Sequence, residues 1–247
     1  MICIKIQADS IDRFGIWAPC WQKYERDFMK NVAVVLCGSG YKDGSEIRES
    51  VGVLWALSQH PVSVQCFAPD APQHDVVNCL SGRAAEGEKR NMLVEAARIA
   101  RGQVLPLDQL AKMTGNYDGI FLPGGFGVAK NLCSFAFNGH KGTVRPELQK
   151  ILDLMFQAGK PIGAVCIAPA LIALAFKGKG LELTLGSDGD AAKEIEKLGH
   201  RHIVCRANEY HLDPRHRVAS TPAYMIDAAP LNEIFEGIQK MVAAVLQ

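Results

Sequence analysis

The sequence lacks the features that mark several large classes of protein. No apolar run reaches the roughly 18 to 20 residues that a membrane-spanning helix needs. The net charge is only +1, so electrostatics give no reason to expect nucleic acid or an anionic membrane as a partner. Internal repeats, low-complexity tracts and interdomain linkers are missing too. With 48% hydrophobic residues, the chain of 247 residues is typical of an ordinary globular protein with one domain.

The eight cysteines form no C-x-x-C pair and no Cys/His cluster with the spacing of a zinc site. Cys37, Cys66 and Cys205 lie inside apolar, strand-like runs, where a cysteine usually acts as a small core residue. We therefore expect reduced thiols, no metal and no cofactor. Reduced thiols in turn predict a cytoplasmic protein, or a mitochondrial one if the chain is eukaryotic.

The first 28 residues differ from the rest of the chain. They have no long apolar run of the kind found in secretory signals, and their four acidic residues distinguish them from an organelle transit peptide. A second methionine, Met29, precedes a strand-like run. We predict an N-terminal extension of unknown role over residues 1–28 and a single domain over residues 29–247.

Strand-like and helical patterns alternate along residues 29–247, which is typical of a mostly parallel sheet with helices on both faces. The predicted strands are residues 32–36, 62–67, 117–122, 161–165, 202–205 and 217–220. The predicted helices are residues 89–100, 147–157, 170–176, 191–198 and 231–246, and one that begins at Asp43. Asp43 and Glu46 have the spacing of a capping box. Ligands bind such sheets at the carboxyl ends of the strands, where loops 38–45 and 123–127 lie.

Cys166 is the strongest candidate for a reactive residue. An apolar run ends at this cysteine, and a helical pattern follows almost at once. Such a junction sets a side chain on a tight corner at a helix N-terminus, the geometry of a nucleophile elbow. There, N–H groups and the helix dipole lower the pKa of a thiol. The alternative is a buried, inert cysteine at a strand end, and these residues alone favour neither interpretation.

Glu46 and Glu49 lie on one face of the helix that follows the first strand. Glu49 is deep enough in the helix to lean toward a thiol one or two strands away. The alternative is that both acids only complement the helix dipole, which suits Glu46 well.

Glycines in two of the loops allow a close approach of the backbone to a ligand. Gly124 and Gly125 follow a strand directly, and such an N–H group, with that of Ile167, would form an oxyanion hole; a simple tight turn is the alternative. The segment around Ser39 reads G-x-G-x-x-x-G, which only approximates a dinucleotide-binding fingerprint. The histidines are not placed beside Cys166 by the sequence, and we expect them in surface loops.

Several motifs resemble the ElbB-type isoprenoid-biosynthesis glyoxalases, which belong to the PfpI-like, class I glutamine amidotransferase-like superfamily. They occur in order from residue 29 to the C-terminus. The motifs are D-G-S-E-I-R-E from Asp43, L-P-G-G-F-G-V-A-K-N-L from Leu122, C-I-A-P-A from Cys166 and T-P-A-Y-M from Thr221.

The resemblance implies a flavodoxin-like three-layer α/β sandwich with a nucleophile elbow, and a homodimer. It assigns Cys166 as the nucleophile, Glu49 as its acid partner, and Gly125 and Ile167 as the oxyanion donors. Further residues that we expect to line the site are Glu46, Gly124, Ser39, Asn131 and Pro222. Protease-like and amidase-like members carry a histidine directly after the cysteine, where this chain has Ile167.

We therefore predict a cofactor-independent enzyme of the glyoxalase III type. It would convert small 2-oxoaldehydes such as glyoxal and methylglyoxal into 2-hydroxy acids through a hemithioacetal on Cys166; the substrate class is implied by the resemblance. One alternative is a redox-sensing or regulatory protein whose Cys166 oxidises to a sulfinic acid stabilised by Glu49. Another is an amidase or glutaminase, which the missing histidine disfavours.

Overall fold

The computed structural model describes residues 29–247, so the predicted N-terminal extension lies outside the described residues. In chain order the strands are β1 (Lys30–Val35), β2 (Val62–Ala68), β3 (Val77–Asn78), β4 (Arg83–Ala84), β5 (Val104–Pro106), β6 (Gly119–Leu122), β7 (Ile162–Val165), β8 (Glu182–Leu183), β9 (Arg201–His202), β10 (His211–Asp213) and β11 (Val218–Thr221). Seven of them form one sheet in the order β10-β11-β7-β6-β1-β2-β5. Its neighbouring strands are parallel except for β10, which is antiparallel to β11.

Helices surround this sheet. They are α1 (Ile47–Leu57), α2 (Met92–Ile99), α3 (Leu107–Met113), α4 (Phe135–Asn138), α5 (Pro146–Gln157), α6 (Ala168–Ala175), α7 (Asp190–Glu196) and α8 (Leu231–Val245). Helix α1 packs on α8, and α3 packs on α5. Strands β6 and β7 are buried along their whole length, as expected for strands covered by helices on both faces. The predicted α/β sandwich with a mostly parallel sheet is thus confirmed.

The strand order positions the candidate site. Strands β7, β6 and β1 are neighbours and run parallel, so their carboxyl ends meet at one edge of the sheet. Loop 38–45 follows β1, loop 123–127 follows β6, and Cys166 follows β7. The three segments that the sequence placed at strand ends are therefore next to one another in space.

The predicted start of the first helix is wrong by several residues. Helix α1 begins at Ile47, and its N-cap is Glu46, whose Oε2 accepts a hydrogen bond from the backbone N–H of Glu49 at 2.6 Å. Asp43 instead accepts a hydrogen bond from the N–H of Val77 at 2.9 Å. The capping-box spacing identified two acids near the helix but assigned the capping role to the wrong one.

The prediction that the histidines lie in surface loops is wrong for His200 and His202. His200 is buried, and its Nδ1 lies 3.1 Å from the backbone N–H of Leu181, which donates to it. The side chain of His202 is 1% exposed, and its Nε2 accepts from the N–H of Leu185 at 3.1 Å. Both imidazoles satisfy backbone groups of the β8 segment, a structural role.

No helix within residues 29–247 combines the length and the apolar character needed to cross a bilayer.

Candidate active site

Cys166 occupies a strained corner between β7 and α6. Its φ angle is +59°, a left-handed conformation that a residue with a side chain rarely adopts outside functional sites. Its backbone N–H donates to Thr221 O at 2.9 Å, which continues the pairing of β7 with β11 through the corner. Ile167 caps α6, so the thiol lies at the helix N-terminus. The predicted tight corner between strand and helix is confirmed.

Glu49 lies beside the Cys166 thiol. Its carboxyl group is fully buried, and Oε1 accepts a hydrogen bond from the backbone N–H of Tyr224 at 3.3 Å. Oε2 has no hydrogen-bond partner of good geometry among the described residues. Burial raises the pKa of the Glu49 carboxyl to about 8, and the neighbouring Glu46 carboxyl adds to the rise. Glu49 is consequently poised to hold a proton near neutral pH.

The Cys166 thiol is not activated in the way the sequence suggested. Burial raises its pKa well above the ordinary value, and the negative charge of Glu49 raises it further. The backbone N–H groups of Gly125 and Ile167 point at the sulfur and lower the pKa, but they do not offset burial. The N–H groups at the corner therefore act in the expected direction, but the net pKa of the thiol is raised because desolvation of the charged form outweighs them.

The thiol and the carboxyl titrate as a pair. Two negative charges side by side in a buried site repel strongly, so only one of the two groups ionises readily. Since the pKa of Glu49 is about 8, the pair keeps both protons at neutral pH in most molecules and loses the first near pH 8. The singly ionised pair can place its proton on either group, and one arrangement is a thiolate hydrogen-bonded to a neutral carboxyl.

Because Gly124 has no side chain, there is room beside it for Cys166 and Glu49. A Cβ atom at this position would lie 2.5 Å from Cβ of Cys166 and 2.6 Å from Oε2 of Glu49, too close for any real contact. Gly125 has a φ of +104°, and its backbone turns there so that its N–H faces the sulfur. The two glycines therefore do more than form a tight turn, since one makes room for the pair and the other supplies an N–H donor.

A cavity of about 900 Å³ opens above the pair. Cys166 and Ile167 lie on its wall, and each residue is only 8% exposed. Aromatic side chains that line it are Tyr41, Phe126, Phe135, Phe137 and Tyr224. The sequence does not reveal these residues, because they lie in loops and short helical turns that have no periodic pattern. Phe126, directly after the two glycines, is the one that its position could have revealed.

The structure separates the residues that were expected to line the site. Glu46 lines the cavity, and burial raises the pKa of its carboxyl. Gly124 lies under the pair rather than on the cavity wall. Arg48 and Tyr224, which the sequence analysis did not single out, also line the cavity, and Arg48 donates to the Tyr224 hydroxyl at 2.9 Å.

Ser39, Asn131 and Pro222 do not line the cavity, which corrects the expectation for all three. Loop 38–45 closes on itself through backbone hydrogen bonds, with Ser39 packed against Gly44. The Asn131 amide donates to Asp43 O and accepts from the N–H of His74, each at 2.8 Å, so it clamps two loops. Pro222 begins the turn that carries Tyr224 to Glu49.

Within residues 29–247, no group of three or more His, Cys, Asp and Glu side chains is arranged to hold a metal ion.

Comparison with known proteins identifies relatives along most of the chain. No protein-family model matches it. A human mitochondrial protein, glutamine amidotransferase-like class 1 domain-containing protein 3, is 43% identical over 225 residues, which cover 87% of this chain and 82% of the human protein. The chain belongs to the glutamine amidotransferase-like class 1 family. Another relative in this family is the mitochondrial ES1 protein of Danio rerio, 30% identical over 88% of this chain and 85% of that protein.

Solved structures agree with this family and with the fold. An isoprenoid biosynthesis protein with an amidotransferase-like domain from Ehrlichia chaffeensis is 38% identical, with a TM-score of 0.81 over 88% of this chain and 98% of its own. Glyoxalase III from Candida albicans is 16% identical, with a TM-score of 0.55 over 87% of this chain and 97% of its own, which shows a shared fold. The catalytic roles of Cys166, Glu49, Gly125 and Ile167 stay predictions.

Proposed function

We propose that this glutamine amidotransferase-like protein is a cofactor-independent glyoxalase of the glyoxalase III type. It converts 2-oxoaldehydes such as glyoxal and methylglyoxal into 2-hydroxy acids. The observation that carries the proposal is the buried pair of Cys166 and Glu49, with two N–H donors at the sulfur and a cavity above it. A nucleophile, a proton carrier and an anion-binding site are the groups that this reaction requires.

The first step is the addition of Cys166 to the aldehyde. In the singly ionised pair the thiol proton moves to Glu49 as Sγ forms a bond to the aldehyde carbon. The carbonyl double bond opens, and its oxygen carries the negative charge between the N–H groups of Gly125 and Ile167. Glu49 then returns the proton to this oxygen, which gives a neutral hemithioacetal and a Glu49 carboxylate.

The second step moves a proton between adjacent carbons. The former aldehyde carbon is bonded to Sγ, so its hydrogen lies near Oε2 of Glu49, within direct reach or that of one water. Glu49 removes this proton, which gives an enediolate with its negative charge on the second oxygen, and then delivers the proton to the neighbouring carbon. The hydroxyl proton of the first oxygen passes to the second oxygen as the thioester carbonyl forms, which produces a thioester of the 2-hydroxy acid. Hydrolysis of the thioester releases the acid and restores the thiol. The carboxylate ends each cycle in the state in which it began.

Amide hydrolysis is less well supported. The nitrogen leaving group of an amide must be protonated, usually by a histidine beside the nucleophile. Ile167 follows the cysteine here, and none of the histidines within residues 29–247 lines the cavity. Addition of the thiol to an aldehyde releases no leaving group. Glu49, which carries one proton at a time, is therefore sufficient for the proton transfers.

The redox alternative is also less well supported. Oxidation of a cysteine by peroxide begins from the thiolate. The raised pKa of Cys166 leaves little thiolate at neutral pH unless a bound substrate draws the proton away during addition. An aldehyde bound at the oxyanion donors draws the thiol proton away during addition. A redox sensor, in contrast, needs a thiolate before the peroxide arrives.

Two further expectations stay proposals. The relatives that carry "mitochondrial" in their names support a mitochondrial location over the cytoplasmic one, and imaging of the full chain fused to a fluorescent protein tests this. The proposed homodimer is tested by sedimentation equilibrium of the purified chain.

Replacing the nucleophile tests the function directly. Cys166→Ala should reduce the production of lactate from methylglyoxal to the uncatalysed rate, measured by NMR. The matched control is Cys79→Ala, since Cys79 is exposed and outside the cavity, and it should retain wild-type turnover. Wild-type turnover by Cys166→Ala would show that the proposed chemistry is wrong.

A further inference from the structure

The cavity is much larger than the smallest 2-oxoaldehydes require. At about 900 Å³ it lies near the upper end of the range of roughly 300–1,000 Å³ found for pockets that hold drug-sized ligands. Glyoxal or methylglyoxal bonded to Cys166 would occupy a small part of it beside the sulfur. Most of the cavity wall would contact only water.

Three aromatic residues on that wall are strongly exposed. Tyr41, Phe126 and Phe137 are 46%, 50% and 53% exposed, and all three line the cavity. Large apolar side chains exposed together in a concave site are the usual mark of a binding surface, whereas scattered ones are common and need no explanation.

The rings are also held in place. Lys130 Nζ lies 5.3 Å from the centre of the Phe126 ring, and Lys130 is itself fixed by an ion pair with Asp75 at 2.6 Å. The His74 ring packs against Phe137 with centroids 4.6 Å apart. Because a neighbour contacts each of these two rings, the surface that they offer to the cavity is preformed, and a ligand loses little free energy in ordering it.

Of the charged side chains that line the cavity, the two acids on α7 form ion pairs, whereas Glu46, Arg48 and Asp227 form none within residues 29–247. Glu194 pairs with Lys197 at 2.5 Å and with His140 at 2.6 Å. Asp190 pairs with Lys193 at 3.6 Å. The exposed rings are the apolar part of the lining, and covering them with an apolar body removes their surface from water, which is favourable.

We propose that the substrate of the Cys166 site is a 2-oxoaldehyde, or a related aldehyde, carried on an apolar body of at least the size of a benzene ring. The aldehyde reaches Sγ while the body lies between Phe126 and Phe137. This inference rests on the proposed aldehyde chemistry and names the substrate class for it.

Maleimides test the cavity without requiring turnover. In this reaction Sγ bonds to one carbon of the maleimide double bond, the π bond breaks, and the thiol proton ends on the other carbon. N-phenylmaleimide and N-methylmaleimide differ only in the body they carry. Peptide mass spectrometry follows the alkylation of Cys166, with the exposed Cys79 in the same molecule as the internal reference.

The phenyl-to-methyl rate ratio at Cys166 should exceed the ratio at Cys79 by about tenfold, the factor expected from burying one ring. Phe126→Ala and Phe137→Ala should each lower the phenyl-to-methyl rate ratio at Cys166 toward the ratio measured at Cys79. Tyr210→Ala removes an aromatic ring of similar exposure outside the cavity and should leave the ratio unchanged. Equal ratios at the two cysteines of the wild-type protein would overturn the inference.

Measuring the turnover of two glyoxals distinguishes the proposed substrate class from the proposed enzymatic function on which it rests. We expect kcat/KM for phenylglyoxal to exceed that for methylglyoxal by about tenfold. A maleimide preference with no turnover of either glyoxal would contradict the proposed function and leave the apolar ligand site supported. Turnover of methylglyoxal equal to that of phenylglyoxal, with no maleimide preference, would overturn the inference and leave the function standing.

Discussion

The backbone N–H of Tyr224 donates to Oε1 of Glu49 at 3.3 Å, and this bond orients a carboxyl group whose other oxygen lies beside Cys166. Tyr224 follows β11, whereas Glu49 belongs to α1, so the bond joins two distant parts of the chain. Arg48 reinforces it by donating to the Tyr224 hydroxyl at 2.9 Å. The direction in which Glu49 presents its proton is thus set from outside its own helix.

The pH dependence of turnover should follow the titration of the pair. Since the active form carries one negative charge and the pKa of Glu49 is about 8, only about a tenth of the molecules are active at pH 7. We expect kcat/KM to rise with pH and to reach half of its plateau near pH 8, measured in buffers of constant ionic strength. A flat profile between pH 6 and 9 would contradict this assignment.

Removing the charge of Glu46 should shift that profile. The Glu46 carboxyl raises the pKa of Glu49 by repulsion, so its loss makes ionisation of Glu49 easier. In Glu46→Gln the midpoint of the kcat/KM profile should move to lower pH. The amide oxygen of glutamine can still cap α1. Glu147→Gln, on the distant α5, serves as the control and should leave the midpoint in place; an unshifted midpoint in Glu46→Gln contradicts the repulsion.

Glu49 should make the protein less stable as the pH rises. Its pKa in the folded state, about 8, lies above the ordinary 4.5, so between these values the folded state binds more protons than the unfolded state. The free energy of unfolding therefore falls as the pH increases from about 4.5 to 8. The fall is about 1.4 kcal/mol for each pH unit over which the Glu49 carboxyl is protonated in the folded state and ionised in the unfolded state.

Glu49→Gln removes this dependence while keeping the shape of the side chain. Urea unfolding at pH 5 and at pH 8.5 gives the comparison, because other titrating groups cancel in the difference between variant and wild type. The variant should gain stability relative to the wild type by several kcal/mol on going from pH 5 to pH 8.5. An unchanged difference would show that Glu49 is not buried as described.

Gly124→Ala should disrupt the pair. The added methyl group would lie 2.5 Å from Cβ of Cys166 and 2.6 Å from Oε2 of Glu49, and a backbone oxygen is nearly as close, so the pair must move apart. We expect turnover to fall by roughly a hundredfold and stability to fall by about 1–3 kcal/mol. Gly115→Ala is the matched control, because no atom lies within 4 Å of its added methyl group. Full activity in Gly124→Ala contradicts the geometry.

The backbone of the site could be predicted from the sequence because it depends on local patterns. The apolar run before Cys166 and the helix after it specify an elbow, and the glycines after β6 specify a close approach. The short edge strand β5 and helix α3 were not predicted, since three residues of strand are too few for a periodic signal.

The electrostatics of the site could not be predicted from the sequence. Whether a helix N-terminus or burial controls the pKa of Cys166 depends on how much water reaches the sulfur, which is set by Gly124, Glu49 and the packing of β11. Likewise, Asn131 belongs to the L-P-G-G-F-G-V-A-K-N-L segment, and only its two hydrogen bonds show that it clamps two loops.

The strand order has a consequence for how the site comes into being. The acid follows β1 and the thiol follows β7, with β6 between them, so neither group has its neighbour until three strands from separate parts of the chain are side by side. During refolding from urea, Cys166 should therefore pass from the reactivity of a free thiol to its protected value only when the β1–β6–β7 unit closes. The cysteine is in this way a built-in reporter of the moment at which the centre of the sheet is complete.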